Sequence, residues 1–204
     1  MTAPNPLPRS FYEGDSREVA PRLLNKLLVH GELAGRIVEV EAYAADEDPA
    51  SHAFRGETAR NRTMFGAPGL LYVYFTYGMH FCANAVCGDV GWAHAVLLRA
   101  LHPVRGLDVM RARRPAARRD RDLANGPAKL CSAFAIDRDL DGADLVTDDR
   151  GVTIVDDGTP PPDEPGRSAR IGISVAVDEA WRWYVPGDAH LSRPEPRRAR
   201  AAAP

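Results

Sequence analysis

The chain has 204 residues, 45% hydrophobic and 26% charged, the size of one domain whose core needs no covalent staple. Three cysteines, Cys82, Cys87 and Cys131, with no Cys-x-x-Cys pair, exclude a disulfide framework and a zinc cage and point to a reducing compartment. A net charge of -2 argues against gripping a polyanion by bulk charge, and the lack of a leader-like start or a long apolar run sets the expectation of a soluble, intracellular protein with no membrane contact.

Residues 1–14 are proline-rich and read as an irregular arm, followed by one domain over 15–192 and a basic, disordered tail over 193–204. Asp15 or Ser16 caps a helix in which Ala20, Leu23, Leu24, Leu27 and Leu28 recur at helical spacing. From Leu33 to Tyr43 the period is two, with Val38, Val40 and Ala42 on one face and Ile37, Glu39, Glu41 and Tyr43 on the other. A polar loop precedes Leu70 to Tyr77, where aromatic and β-branched residues predict a strand. Strands follow over His80 to Val86 and Ala93 to Leu101, and Tyr77-Gly78-Met79 is the tip of a hairpin. Pro103 and Gly106 introduce a short basic helix to about Arg114, and 115–121 reads as a flexible connection. Pro127 starts a helix through about Ala135. Val152 to Val155 and Ala169 to Val175 read as strands around a proline-rich loop.

Charge is segregated along the chain. Seven arginines between Arg105 and Arg121 face only Asp108 and Asp120, a balance of +5, whereas ten acids between Asp137 and Glu164 face only Arg138 and Arg150, a balance of -8. A polyanion could meet one face and avoid the other, although such runs are also ordinary solvated surface. Asp137-Arg-Asp-Leu-Asp-Gly matches the first half of a calcium loop, but Asp144 and Asp148 stand where an apolar residue and a glutamate belong. A turn explains it better than a calcium-regulated binding protein would. The spacings of the six histidines suggest no metal centre, and a Walker loop, a nucleophile elbow and a dinucleotide fingerprint are absent. What remains is Glu41 beside aromatic residues. By itself it fits an exposed side chain or a catalytic carboxylate, and Tyr72, Tyr74 and Tyr77 by themselves fit core or interface aromatics.

Taken together, several blocks resemble the alkyladenine (3-methyladenine) DNA glycosylase family. They are Arg36-Ile-Val-Glu-Val-Glu-Ala-Tyr, Asp46 to His52, Arg60-Asn-Arg-Thr-Met-Phe, Gly69-Leu-Leu-Tyr-Val-Tyr-Phe-Thr-Tyr-Gly-Met-His-Phe-Cys-Ala-Asn, Val96-Leu-Leu-Arg-Ala-Leu and Gly126-Pro-Ala-Lys-Leu. Their order and gaps also match, over about residues 10 to 185. The resemblance implies a mixed α/β (α+β) single domain with a curved, antiparallel-rich sheet, flanking helices and a protruding hairpin. It implies a monomer that uses no metal or cofactor, acts on double-stranded DNA containing damaged purines, and in a bacterium is cytoplasmic and nucleoid-associated. Residue by residue, Glu41 is the base that activates water and Arg99 helps hold that water. Tyr43, His52 and Tyr74 line the base pocket, and Asn84 is the selectivity residue. Tyr77, with Met79 beside it, fills the vacated stack, and a backbone carbonyl within Arg170 to Ile173 is a third holder of the water.

The expected chemistry follows from these groups. A carboxylate beside the sugar stabilises an oxocarbenium-like centre and accepts a proton from attacking water. Arg60, Arg62, the arginines between 105 and 121, and Lys129 are expected at phosphates. Lys26 and Lys129 are the only lysines, and neither is placed as a Schiff-base nucleophile, so strand cleavage is not expected. The rival within the same fold is a catalytically inactive module that only binds damaged DNA.

Overall fold

The computed structural model describes residues 5–195. One sheet organises it, built from β1 (Leu27–His30), β2 (Leu33–Ala44), β3 (Leu70–Thr76), β4 (His80–Cys87), β5 (His94–Arg105), β6 (Ala143–Asp144), β7 (Val152–Val155), β8 (Gly166–Ser168) and β9 (Arg182–Tyr184). The order is β6-β3-β4-β5-β2-β1-β7, with β9 joining β2 beyond the end of β1 and β8 pairing with β9. All these pairings are antiparallel, and the sheet does not close into a barrel.

Helices α1 (Arg9–Tyr12), α2 (Ser16–Leu23), α3 (Leu107–Arg113) and α4 (Pro127–Phe134) complete the domain. Alternation divides the central strands into two faces. Val40 and Ala42 of β2, Leu71 and Val73 of β3, Ala83 and Ala85 of β4, and Val96 and Leu98 of β5 join Val19, Leu23, Leu130 and Phe134 of the helices in the main core. Residues one position out of phase line the opposite face, where Tyr72, Val86 and Ala95 form a second cluster. Among the described residues no helix is long and apolar enough to cross a membrane.

Several local readings need correction. The first helix stops at Leu23, and Leu27 and Leu28 belong to β1, paired with both β2 and β7. Pro21 already removes one donor from that helix, and Asn25 adopts φ 66°, a left-handed turn that a helix cannot continue through. Within residues 5–14, Pro6 bridges to Val155, α1 covers Arg9–Tyr12, and Leu7 and Tyr12 are buried in the core. Ala169 to Val175 is irregular, and the strands nearby are β8 and β9. β5 runs through Pro103 to Arg105 before α3 begins. Within the 115–121 connection, Asp120 pairs with Arg111 of α3 (2.9 Å) and Arg119 with Asp122 (2.9 Å). The expected tail lies outside the described residues beyond Glu195.

The acidic segment also acquires a role. Asp156 pairs with Lys26, Asp157 with Arg36, and Asp144 with Arg9, so these acids neutralise cations of the body. The calcium-like turn is spent internally. Asp137 caps a short 3-10 turn through the Asp139 N–H, while Asp141 accepts from the Val73 N–H and the Thr63 hydroxyl.

Candidate active site

The inner face of the sheet aligns the candidate residues by register. Glu41 pairs with Leu97 of β5, Leu97 with Asn84 of β4, and Asn84 with Tyr72 of β3, one continuous row across four strands. Paired β-bulges interrupt β2 and β5 next to this row. Ile37 faces Leu101 and Glu39 faces Ala100, leaving Val38 extra on β2; Val40 faces Leu98, leaving Arg99 extra on β5. The bulges re-aim side chains. Ile37 therefore turns into the main core although simple alternation placed it with Glu39, and Arg99 reaches both Glu39 and Glu41.

Glu41 is fully buried, and every donor it meets comes from a different element or register position. Its Oε2 accepts from Arg99 Nη1 and from the Tyr43 hydroxyl, both at 3.1 Å, and its Oε1 accepts from the Ile171 N–H at 2.7 Å. A carboxylate offers about four acceptor positions, so Oε1 retains one for a further donor such as water. Burial pushes the Glu41 carboxyl above its ordinary value, and Glu39 adds to this, while Arg99, the Ile171 N–H and Tyr43 only partly oppose it. The 169–175 segment, implied to offer a carbonyl to water, touches Glu41 through the N–H of Ile171.

Glu39 was not anticipated. It too is fully buried, and its oxygens accept from Arg99 Nε (2.9 Å), Arg182 Nε (2.8 Å), and both the hydroxyl and N–H of Ser192 (2.6 Å each). Burial works to raise its carboxyl, but Arg182, Arg99 and Ser192 outweigh that and hold it below its ordinary value. The two carboxylates thus divide their tasks. Glu39, held below its ordinary value, anchors Arg99, and Glu41 is a buried carboxyl, raised above its ordinary value, with spare acceptor capacity. A second signal, a glutamate two residues before Glu41 in the same register, was visible in the chain.

A cavity of about 490 Å³ opens on this row, lined by Tyr43, His52, Tyr72, Tyr74, Asn84 and Arg99 among others. His52 packs edge-on against Tyr74 with ring centroids 4.5 Å apart, and its Nδ1 lies 3.1 Å from the Tyr72 hydroxyl. Partial burial, with Arg60 nearby, lowers the His52 pKa, which favours the neutral ring. Tyr72, taken from the chain as a core or interface aromatic, belongs to the wall, its ring 5.5 Å from that of Tyr74. Burial pushes the Tyr72 phenol up to about 12 and raises Tyr43 and Tyr74 as well, so all three remain neutral donors. Asn84 Nδ2 donates to the Tyr72 carbonyl, fixing its carboxamide in the wall.

Behind Tyr43, Arg170 stacks 4.7 Å from its ring and pairs with buried Asp48 (Nη2–Oδ1 2.8 Å). That contact ties the 45–52 loop to the segment carrying Ile171. At the cavity mouth, Tyr77 and Gly78 have φ of 50° and 67°, consecutive left-handed residues that make a tight hairpin turn closed by the Met79 N–H to the Thr76 carbonyl. The turn leaves Tyr77 83% and Met79 71% exposed. Arg60 lies 5.9 Å from the Tyr74 ring, Arg62 faces solvent beside Glu57, and Lys129 binds Asn125 at the start of α4, whose Pro127 lines the cavity.

Geometry of this kind defines a small antiparallel-sheet domain with an aromatic-walled cavity beside a buried carboxylate pair. The description Methylpurine-DNA glycosylase (MPG) matches residues 10–189. A Burkholderia lata protein provisionally named a 3-methyladenine DNA glycosylase is 55% identical over 193 residues, covering 94% of this chain and 93% of its own. Proteins with the same provisional name from Streptomyces avermitilis and Methanoculleus marisnigri are 46% and 47% identical, each covering 92% of this chain and 91% and 98% of their own length. The chain belongs to the methylpurine-DNA glycosylase family.

Proposed function

We propose that this protein is a monofunctional DNA glycosylase that excises alkylated or deaminated purines of the 3-methyladenine, 7-methylguanine, hypoxanthine and ethenoadenine class from double-stranded DNA. The observation that carries the reading is the Glu41 carboxylate, wholly buried yet bonded to Tyr43, Arg99 and Ile171, all of which line the aromatic cavity.

The damaged nucleotide leaves the duplex at a cost of a few kcal/mol, less for a poorly paired base. Tyr77 enters the gap, with Met79 beside it. Tyr43, Tyr72, Tyr74 and His52 clamp the everted ring, and their faces favour a base that already carries positive charge. Asn84 disfavours guanine by crowding its 2-amino group or leaving it unpaired. As the bond from sugar to base breaks, Glu41 faces the developing charge at the anomeric carbon, accepts a proton from the attacking water, and leaves a hydroxyl on the sugar. Arg99 orients the water and is itself held by Glu39. A raised carboxyl pKa makes Glu41 a better proton acceptor than an ordinary glutamate.

Arg60, beside the Tyr74 ring, together with Arg62 and Lys129, contacts phosphates, whereas Arg111 and Arg119 are engaged with aspartates and contribute less. Among the described residues neither lysine amine is free for lyase chemistry, since Lys26 is buried against Asp156 and Lys129 is bonded to Asn125. The protein acts as a monomer inside the cell. The test is base release from duplexes carrying one hypoxanthine or one alkylated purine, with borohydride added in parallel. Release without a trapped protein-DNA adduct is expected. An adduct would refute the monofunctional reading, and tight lesion binding without release from any of these duplexes would convert the enzyme into a binding module.

A further inference from the structure

His102, on the exposed end of β5, and His190, in the segment after β9, are far apart in the chain, so their spacing gives no ligand pattern. The fold brings their rings into a stack, centroids 3.9 Å apart and planes 24° apart. Between them lies Asp188, whose Oδ1 is 2.8 Å from His190 Nδ1 and whose Oδ2 is 3.5 Å from His102 Nδ1. One ligand atom of each residue lies within 4.8 Å of the other two.

We propose that His102, Asp188 and His190 bind one divalent transition ion of the zinc class, as a staple outside the aromatic cavity. Two imidazoles and a carboxylate suit zinc, nickel or cobalt, whereas calcium and magnesium require nearly all-oxygen shells. Ligand atoms of a tetrahedral zinc site, with bonds of about 2.0–2.1 Å, sit about 3.3 Å apart. His190 Nδ1 and His102 Nδ1 approach different oxygens of Asp188, at 2.8 and 3.5 Å, and His102, with its side chain 48% exposed, can turn out of the stack to bring both ring nitrogens and one carboxylate oxygen onto a single ion. The ion takes the place of the proton shared by Asp188 and His190, which passes to solvent, and water fills the remaining position.

The site is connected to the catalytic face through one short segment. Asp188 and His190 precede Ser192, which donates twice to Glu39 and also meets Arg99 Nη2 at 3.2 Å. Leu191 between them packs with Val38 and Ala100. An ion bridging this segment to His102, three residues beyond Arg99 on β5, therefore clamps the wall that holds the Glu39–Arg99 pair.

Zinc titration of the full-length, chelator-stripped protein by calorimetry, with thermal melts in zinc and in EDTA, tests this. One equivalent should bind and raise the melting temperature. His102→Ala, a change at an exposed side chain, and Asp188→Asn should each weaken binding at least about tenfold and abolish the shift, while His80→Ala at the hairpin keeps both. The three cysteines are buried and do not compete. No binding by the wild-type protein, or equal binding by both triad variants, would overturn the proposal. These readouts do not involve base release, so they stand or fall separately from the proposed activity.

Discussion

Glu39→Gln is the sharpest structural prediction, because it removes one charge and almost no volume. Four donors converge on this wholly buried carboxylate, from Arg99, Arg182 and Ser192. A carboxamide in either orientation places an NH2 group against another donor and leaves two buried guanidinium groups short of a counter-charge, although Glu41 still serves Arg99. Breaking a buried pair in this way costs about 3–5 kcal/mol. For a chain of this length each kcal/mol is worth about 2–4 °C, so the melting temperature should fall by about 6–20 °C. Urea unfolding at pH 7 measures the loss. The pH dependence gives a second signature. Glu39 is held below its ordinary value in the folded state, so its contribution is complete above the unfolded pKa of about 4.3 and disappears as pH falls through the folded value. The variant should therefore lose less stability than wild type on acidification below pH ~4. A variant as stable as wild type at pH 7 would refute the assignment of Glu39 as the ionised anchor.

Glu41→Gln should change the pH dependence of stability in the opposite direction. A carboxyl raised by burial in the folded state takes up its proton more readily there than in the unfolded chain, so wild type should gain stability relative to the variant as pH falls through the folded value, read by the same unfolding curves. The rate of base release should fall on the acid side as Glu41 is protonated, with a midpoint above the ordinary glutamate value of about 4.3; a pH–rate profile flat down to that value would contradict the base assignment. Tyr77→Ala should leave stability within about 0.5 kcal/mol, since the ring is almost wholly exposed, yet slow release from duplex more than from single-stranded substrate, where no stack needs filling.

The period-two pattern made the inner face of β2 legible, because Glu41 and Tyr43 had to share it, and the aromatic run at Leu70 to Thr76 could only be a strand. Caps and turn residues likewise located α4 and the hairpin tip. What stayed hidden depended on contacts between distant parts of the chain. Nothing local announces the bulges at Val38 and Arg99, so Ile37 was assigned to the wrong face. Leu27 and Leu28 satisfy a helical stripe equally well, and their pairing with β2 on one side and with β7, more than a hundred residues away, on the other makes them a strand. Glu39 looked like a neighbour of Glu41 until Arg182 and Ser192 arrived from the far end of the chain. The same long-range closure buries Asp48 against Arg170 and stacks His102 on His190.

The central claim is that one buried carboxylate performs the chemistry while the aromatic cavity and hairpin perform recognition. Single-turnover release from one lesion-bearing duplex, compared between wild type and Glu41→Gln with binding of the same duplex measured alongside, separates the two. Loss of about 10²-fold or more in release, with binding retained, is the predicted result. Equal release by the two proteins would contradict it.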